Sequence, residues 1–241
     1  MNPPAVAPRI HFATLGSTNA EALERAGGGH ECWVTADVQT EGRGRRGRDW
    51  VSPKGNLHAS ALLLDREQSW DRSGLPLVAG IALLEAVCSL APAMRNLLAL
   101  KWPNDLLLEG RKVAGILIEA LDVDGGTAFA CGFGVNCRST PDLPATARLD
   151  MDRDDLFGAL AYSFARERET WAGGAGMNAI RDRWIHRAGG LGRPIIVRLP
   201  NRTVTGTFED LDHAGHLLLR HSDGRREPIA AGDVFFKPER T

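Results

Sequence analysis

No Cys-x-x-Cys pair occurs anywhere in the chain, and its histidines are scattered rather than clustered. The four cysteines, Cys32, Cys88, Cys131 and Cys137, therefore lack the spacing of a zinc site. They read as buried reduced thiols, and no resident metal is expected. The N-terminal MNPPAVAPRIHF lacks the long apolar run of a signal peptide. Longer apolar stretches are interrupted by charge or proline before they reach bilayer length. These absences predict a cytoplasmic protein with no membrane partner. Neither sign of charge is in excess: 29 Lys and Arg stand against 30 Asp and Glu, for a net −1. A chain that coats nucleic acid by bulk charge is thereby disfavoured. There is no internal repeat and no low-complexity tract despite 27 glycines. A chain of 241 residues can bury a good core and hold one or two domains.

What is present is a local anomaly. Gly42-Arg43-Gly44-Arg45-Arg46-Gly47-Arg48 packs four guanidinium groups and three glycines into seven residues. Glycine lets backbone approach a ligand closely. Arginine brings a fixed cation with a planar fork of donors suited to phosphate or carboxylate. A solvated basic loop or an RNA-binding tail has a similar composition. This run, however, occurs once and is bracketed by Gln39 and Trp50, which favours a structured anion site.

The hydrophobic pattern predicts an α+β fold. Strands are expected near 10–13, 33–39, 57–63 and 97–101. A hairpin follows from 106–108 and 113–121 across Glu109-Gly110, and a further strand over 128–135. Thr18 and Glu21 match a capping box for a helix to about Ala26. Leu77, Ile81, Leu84 and Cys88 share one face of a helix over 75–90 that Pro92 ends. The polar stretch 138–153 is expected to be a loop, and two helices are expected over 154–171 and 177–188. Beyond a Gly189-Gly190-Leu191-Gly192 linker the pattern is all β, with a hairpin turn at Asp223-Gly224. The expected division is 1–190 and 191–241.

Four more segments carry chemistry. Lys101-Trp102-Pro103-Asn104-Asp105 presents Asn104 and Asp105 at a turn after a strand, where Asp can share Mg²⁺ with a phosphate. That segment also reads as an ordinary capped turn. Arg111-Lys112-Val113-Ala114-Gly115-Ile116-Leu117 leads a lysine into a strand with small residues, leaving room for a ligand, or is simply a surface lysine on a hairpin. Gly132 and Gly134 suit either a ligand floor or a tight strand crossing. Ser17-Thr18-Asn19 starts a helix, whose N–H groups also bind small polar heads.

Taken in order, these blocks resemble the biotin protein ligase family over about Ile10 to Asn136: Ser-Thr-Asn, Gln-x-x-Gly-Arg-Gly-Arg-Arg-Gly-Arg-x-Trp-x-Ser-Pro, Lys-Trp-Pro-Asn-Asp, Arg-Lys-x-Ala-Gly-Ile-Leu and Gly-x-Gly-x-Asn. The resemblance implies a mixed or antiparallel sheet with flanking helices, like that of class II synthetases and lipoate ligases, followed by a small SH3-like β-barrel. It implies that biotin and ATP, with Mg²⁺, give biotinyl-5′-AMP. Biotin then passes to one lysine of a biotin carboxyl carrier protein, such as that of acetyl-CoA carboxylase. Carried onto this sequence, Arg45 and Lys112 serve the reacting centre. Biotin is held by Ser17, Thr18, Asn19, Gln39, Gly42, Arg43, Gly44, Gly115, Leu117 and Gly132. The nucleotide falls to Arg46, Arg48, Trp50, Asn104, Asp105 and Asn136.

Some members of that family carry an N-terminal DNA-binding domain. Here the first strand begins near Ile10, so no DNA partner is expected, while a homodimer is possible by analogy with relatives. Glu41 puts an acid beside the arginine run and is expected to pair with it or to weaken anion binding. A lipoate–protein ligase, which shares fold and reaction type, is the nearest alternative enzyme. A nucleic-acid-binding regulator using the arginine loop is the alternative of another class.

Overall fold

The structure, a computed structural model, describes residues 4–236. Its first sheet has seven strands: β1 (Arg9–Leu15), β2 (Cys32–Gln39), β3 (Leu57–Asp65), β4 (Leu98–Lys101), β5 (Asp105–Leu108), β6 (Arg111–Val123) and β7 (Gly126–Val135), in the order β1-β2-β3-β7-β6-β5-β4. Only the β1–β2 pair is parallel, so the sheet is mixed, as expected. Helix α1 (Thr18–Glu24) lies on one face, and α2 (Leu75–Leu90), α3 (Arg153–Trp171) and α4 (Met177–Ile185) lie on the other.

The two faces follow from the period of two along each strand. Leu57, Ala59, Ala61 and Leu63 of β3 join the main core with α2 and α3. Leu62 instead packs under α1 with Val34, Ala128 and Ala130. Both faces of β3 are thus covered, and the strand is buried almost throughout rather than half-exposed.

Helix α2 spans the expected residues and is nearly all buried. The stretch Arg72–Leu90 has the length and mean hydropathy, 1.8, of a membrane span, although Pro76 and Glu85 interrupt it as expected. With 72% of it buried inside the fold, it is a core helix. Helix α1 is capped by Ser17, whose hydroxyl accepts from Ala20 N, and not by a Thr18–Glu21 box. Thr18 already lies in the helix, and its hydroxyl is taken up by Gln39 and Ser60. All four cysteines are unpaired and buried; burial pushes the Cys131 thiol up to about 12 and Cys137 up to about 11.

A second, antiparallel sheet holds β8 (Pro194–Arg198), β9 (Thr203–Leu211), β10 (Leu217–Arg220), β11 (Arg226–Ile229) and β12 (Asp233–Phe236), in the order β11-β10-β9-β8-β12. The expected barrel is corrected here: among the described residues no pairing joins β11 to β12, and the sheet stays open. Its inner residues Ile195, Val197, Phe208 and Leu219 join the main core. Trp102 at the end of β4 donates its indole N–H to Gly215 O at 3.1 Å, tying the two sheets together.

Candidate active site

The α1 face of the first sheet continues beyond the helix into a cavity of about 470 Å³. Register sets out its floor in rows. Gly134 of β7 is opposite Gly115 of β6, Gly115 is opposite Asp105 of β5, and Asp105 is opposite Lys101 of β4. The next row is Ser60, Gly132 and Leu117. Directly paired residues point to the same face, so Gly115, Gly132 and Gly134 floor the cavity beside Leu117, and acidic and basic side chains edge it.

Lys112 reaches this face by an irregularity. Strict alternation from Gly115 would put Val113 in the cavity and Lys112 in the core. The β5–β6 register shifts between Leu106 and Leu107, so that Leu106 pairs with Ala114 but Leu107 with Lys112. Val113 is the extra residue of this bulge and is fully buried in the core. The bulge re-aims the lysine, a recurring use of such features. Lys112 N donates to Ala145 O and Lys112 O accepts from Ala147 N, at 2.8 and 2.9 Å, so the 138–153 loop anchors the bulged backbone.

Three cations converge there. Lys112 Nζ lies 2.6 Å from Asp105 Oδ1, and Lys101 Nζ lies 3.9 Å from Asp105 Oδ2. Arg45 Nη1 donates to Asn104 Oδ1 at 3.1 Å. Asn104 is held in turn by its Nδ2 donating to Ile116 O at 2.6 Å. Burial lowers the pKa of both Lys101 and Arg45, with Asp105 and Asp233 working against that shift. Poorly hydrated cations beside one carboxylate favour the arrival of a second anion.

The arginine loop is tied to the second sheet. Arg46 Nη1 and Arg48 Nη2 both donate to Asp233 Oδ2, at 3.1 and 2.6 Å, and Arg45 donates to Gly232 O at 3.3 Å. Burial raises the Asp233 pKa, but the Arg48 hydrogen bond and the neighbouring arginines outweigh it and hold the carboxyl below its usual range. The acid that partners the loop is therefore Asp233. Glu41 instead lies beside Gly16, its N–H donating to Gly16 O at 2.8 Å.

At the other end the polar groups are tightly bonded. Thr18 N donates to Gln39 Oε1 at 2.8 Å, and Gln39 Nε2 donates to Ser52 Oγ at 2.9 Å. Asn19 Nδ2 donates to Glu119 Oε2 at 2.8 Å and to Leu117 O at 3.2 Å. The glycines make room for protein groups. A Cβ on Gly132 would stand 2.3 Å from Asn19 Oδ1, and one on Gly134 2.4 Å from Trp50 Cε2. Trp50 thus lies over the Gly115–Gly134 floor, with Lys112 Nζ 5.4 Å from its ring.

The cavity is lined by most residues expected from the sequence: Ser17, Thr18, Asn19, Gln39, Arg43, Gly44, Arg45, Arg48, Trp50, Asn104, Asp105, Lys112, Gly115, Leu117, Gly132 and Asn136. Gly42 and Arg46 are not among the lining residues. Gly42 is buried behind the loop, where a Cβ would meet Trp50 O at 2.4 Å, and Arg46 turns to Asp233. Two buried polar atoms at the lining residues lack a partner, Asn136 Oδ1 and Trp50 Nε1. The lining residues that sequence reasoning missed include Lys101, Asp233 and Phe235, and also Pro141, Leu143 and Thr146 of the loop expected only as a connection. Lys101 stood inside an informative block and had a signal; Asp233 and Phe235, far along the chain, had none.

Residues 19–136 match the Biotin/lipoate A/B protein ligase family, and residues 190–237 match the Biotin protein ligase C terminal domain. A biotin–[acetyl-CoA-carboxylase] ligase of Paracoccus denitrificans is 40% identical over 93% of this chain and 99% of its own length. The protein of that name in Mycobacterium tuberculosis is 33% identical over 92% of this chain and 86% of its own. A biotin protein ligase from Aquifex aeolicus, solved in complex with biotin and ATP, aligns with a TM-score of 0.81 at 24% identity, over 95% of this chain and 99% of that one. At that identity the likeness speaks to the fold.

Proposed function

The chain belongs to the biotin protein ligase family, and we propose that its cavity joins biotin to ATP and delivers the acyl group to a carrier lysine. It is an ATP-dependent biotin–protein ligase. The observation that carries this reading is the convergence of Lys112, Lys101 and Arg45 at one end of a glycine-floored slot whose other end is lined by the uncharged polar side chains of Ser17, Thr18, Asn19 and Gln39. A substrate with a uncharged polar head, an apolar body and a carboxylate fits that order.

In the first step a biotin carboxylate oxygen attacks the α-phosphorus of ATP, the bond to the bridging oxygen breaks, and pyrophosphate leaves. Two anions must approach each other. Lys112 and Arg45, fixed by Asp105 and by Asn104, offset their repulsion and the charge that builds in the transition state. In the second step the carrier lysine's amine attacks the acyl carbonyl and AMP leaves. The protein supplies no nucleophile of its own.

Ser17, Thr18, Asn19 and Gln39 are assigned to the ureido end, and Leu117, Gly115 and Gly132 to the slot for the rings and chain. Gly42, Arg43 and Gly44 shape the loop over the ligand. Trp50 stacks on adenine, and the unpartnered Asn136 Oδ1 accepts from a base donor. Arg46 and Arg48 order the loop around the phosphates. Among the described residues no group of three His, Cys, Asp or Glu side chains gathers as a metal site. Magnesium is assigned as arriving with ATP, and Asp105 is the cavity carboxylate assigned to face it. The carrier subunit of acetyl-CoA carboxylase is the proposed acceptor, as the relatives' names suggest.

The direct test mixes the protein with MgATP, a biotin carboxyl carrier domain and either biotin or lipoate. A carrier mass gain of one biotinyl group, lost when the target lysine is replaced, is expected. Lipoyl product without biotinyl product would overturn the assignment.

A further inference from the structure

One carboxylate near the cavity has no part in this account. Glu119 stands two residues beyond Leu117 on β6, opposite Ala130, and so on the site face of the sheet. Its Oε2 accepts from Asn19 Nδ2 at 2.8 Å, while its Oε1 is 3.9 Å from half-exposed Arg43, a weak tether. Asn19 is only 4% exposed. Behind it lies Ser60, fully buried, with its Oγ 2.6 Å from Asn19 Oδ1 and 2.7 Å from Thr18 Oγ1.

The hydroxyl protons in this cluster follow by elimination. A carboxylate and the Leu117 carbonyl can only accept, so Asn19 must turn its NH₂ toward them. Its carbonyl oxygen then faces Ser60 and needs a donor, which commits the single Ser60 proton. Two hydroxyl protons serve three contacts, and the two shortest are both filled when the Thr18 proton turns to Ser60 rather than to Gln39. Thr18 Oγ1 also lies 3.0 Å from Gln39 Oε1, the longer of its two contacts, and that oxygen already accepts from Thr18 N–H. With its proton turned inward, Thr18 offers lone pairs to the cavity.

We propose that Glu119 is a positioning residue for biotin: it sets the direction of a proton chain through Asn19 and Ser60, so that Thr18 meets the ligand's ureido N–H as an acceptor. This rests on the biotin-ligase reading above. Glutamine at position 119 keeps the shape but can itself donate, so the direction of the chain is left to the longer 3.2 Å bond from Asn19 to Leu117 O alone and is weakened.

The test uses the full chain and follows pyrophosphate release with biotin and MgATP varied separately. Glu119→Gln should raise KM for biotin about tenfold, the scale of one ordered hydrogen bond. KM for ATP, kcat at saturating biotin and the thermal midpoint should stay near wild type. Ser60→Ala should do the same, and the Glu119→Gln/Ser60→Ala double variant should be no worse than Ser60→Ala alone. An unchanged KM for biotin in Glu119→Gln would overturn the proposal. So would multiplicative effects in the double variant, or a parallel rise in KM for ATP with a lowered midpoint, the mark of general loosening. Absence of biotin-dependent pyrophosphate release in the wild type would instead overturn the ligase reading itself.

Discussion

Lys112 and Arg45 are held before substrate arrives, each by a partner that itself is fixed. Lys112→Ala or Arg45→Ala should therefore slow biotinyl-5′-AMP formation by ~100-fold, or about 3 kcal/mol, the usual effect of losing one placed donor. The fold should survive Lys112→Ala, because Asp105 keeps Lys101 as a cationic neighbour. Single-turnover adenylate synthesis with a thermal melt checks both halves; wild-type synthesis would remove the residue from the reacting centre. His58 makes a second prediction at this scale. It is 1% exposed on β3. Burial pushes its pKa down from 6.5 to about 4, and the hydrogen bond between Nε2 and Pro53 O only partly opposes this. Between those values the unfolded chain binds a proton that the folded chain refuses. Stability should thus be lost as pH falls from about 6.5 to about 4, by about 3 kcal/mol at most, and this contribution should be flat below that window. Urea unfolding across that range, compared with His58→Asn, isolates the contribution; equal slopes would exclude it.

Among the elements, those governed by short-range pattern were readable in advance. The apolar face of α2, bounded by Pro92, is one example, and the hairpin turns at Glu109-Gly110 and Asp223-Gly224 are others. What pattern did not reveal depends on pairing between distant segments. The bulge at Val113 breaks no propensity rule and shows only when β6 is laid against β5. Asn56 is similar: its Oδ1 accepts from the backbone N–H groups of Cys137, Arg138 and Ser139, stapling the chain just after Asn136. The five-block order revealed most of the cavity lining, yet not that Gly132 and Gly134 make way for Asn19 and Trp50. Between α3 and α4, Glu167 is wholly buried and accepts from Arg183 and Arg166. Glu167→Ala would leave a small core gap and two guanidinium groups that solvent partly reaches. It should cost about 1–3 kcal/mol, read as a lowered denaturation midpoint, and a loss under about 0.5 kcal/mol would show that solvent already screens the arginines.

At the scale of the whole molecule, the second sheet works as a brace for the arginine loop. Asp233 is its contact with Arg46 and Arg48, and Gly232 with Arg45. These side chains are partly solvated, so Asp233→Ala should lower global stability by less than about 1 kcal/mol. The local effect should be larger, because the loop loses its anchor while the sheets stay joined through Trp102 and Gly215. Limited proteolysis should cut between Gly42 and Arg48 several-fold faster in the variant, with biotin and ATP restoring protection. Cleavage at the wild-type rate would mean that Asp233 does not hold the loop.

The bulge that turns Lys112 into the cavity has a consequence for how this chain can vary. Chemistry here is written in residue number as much as in residue type. Deleting Val113, the extra residue, would leave Lys112 two places before Gly115 and so still on the cavity face by plain alternation, whereas deleting Ile116 would put Gly115 and Leu117 on opposite faces. Single-residue deletions along β6 should therefore spare adenylate synthesis at Val113 and abolish it at Ile116, although both are buried aliphatic residues of the same core.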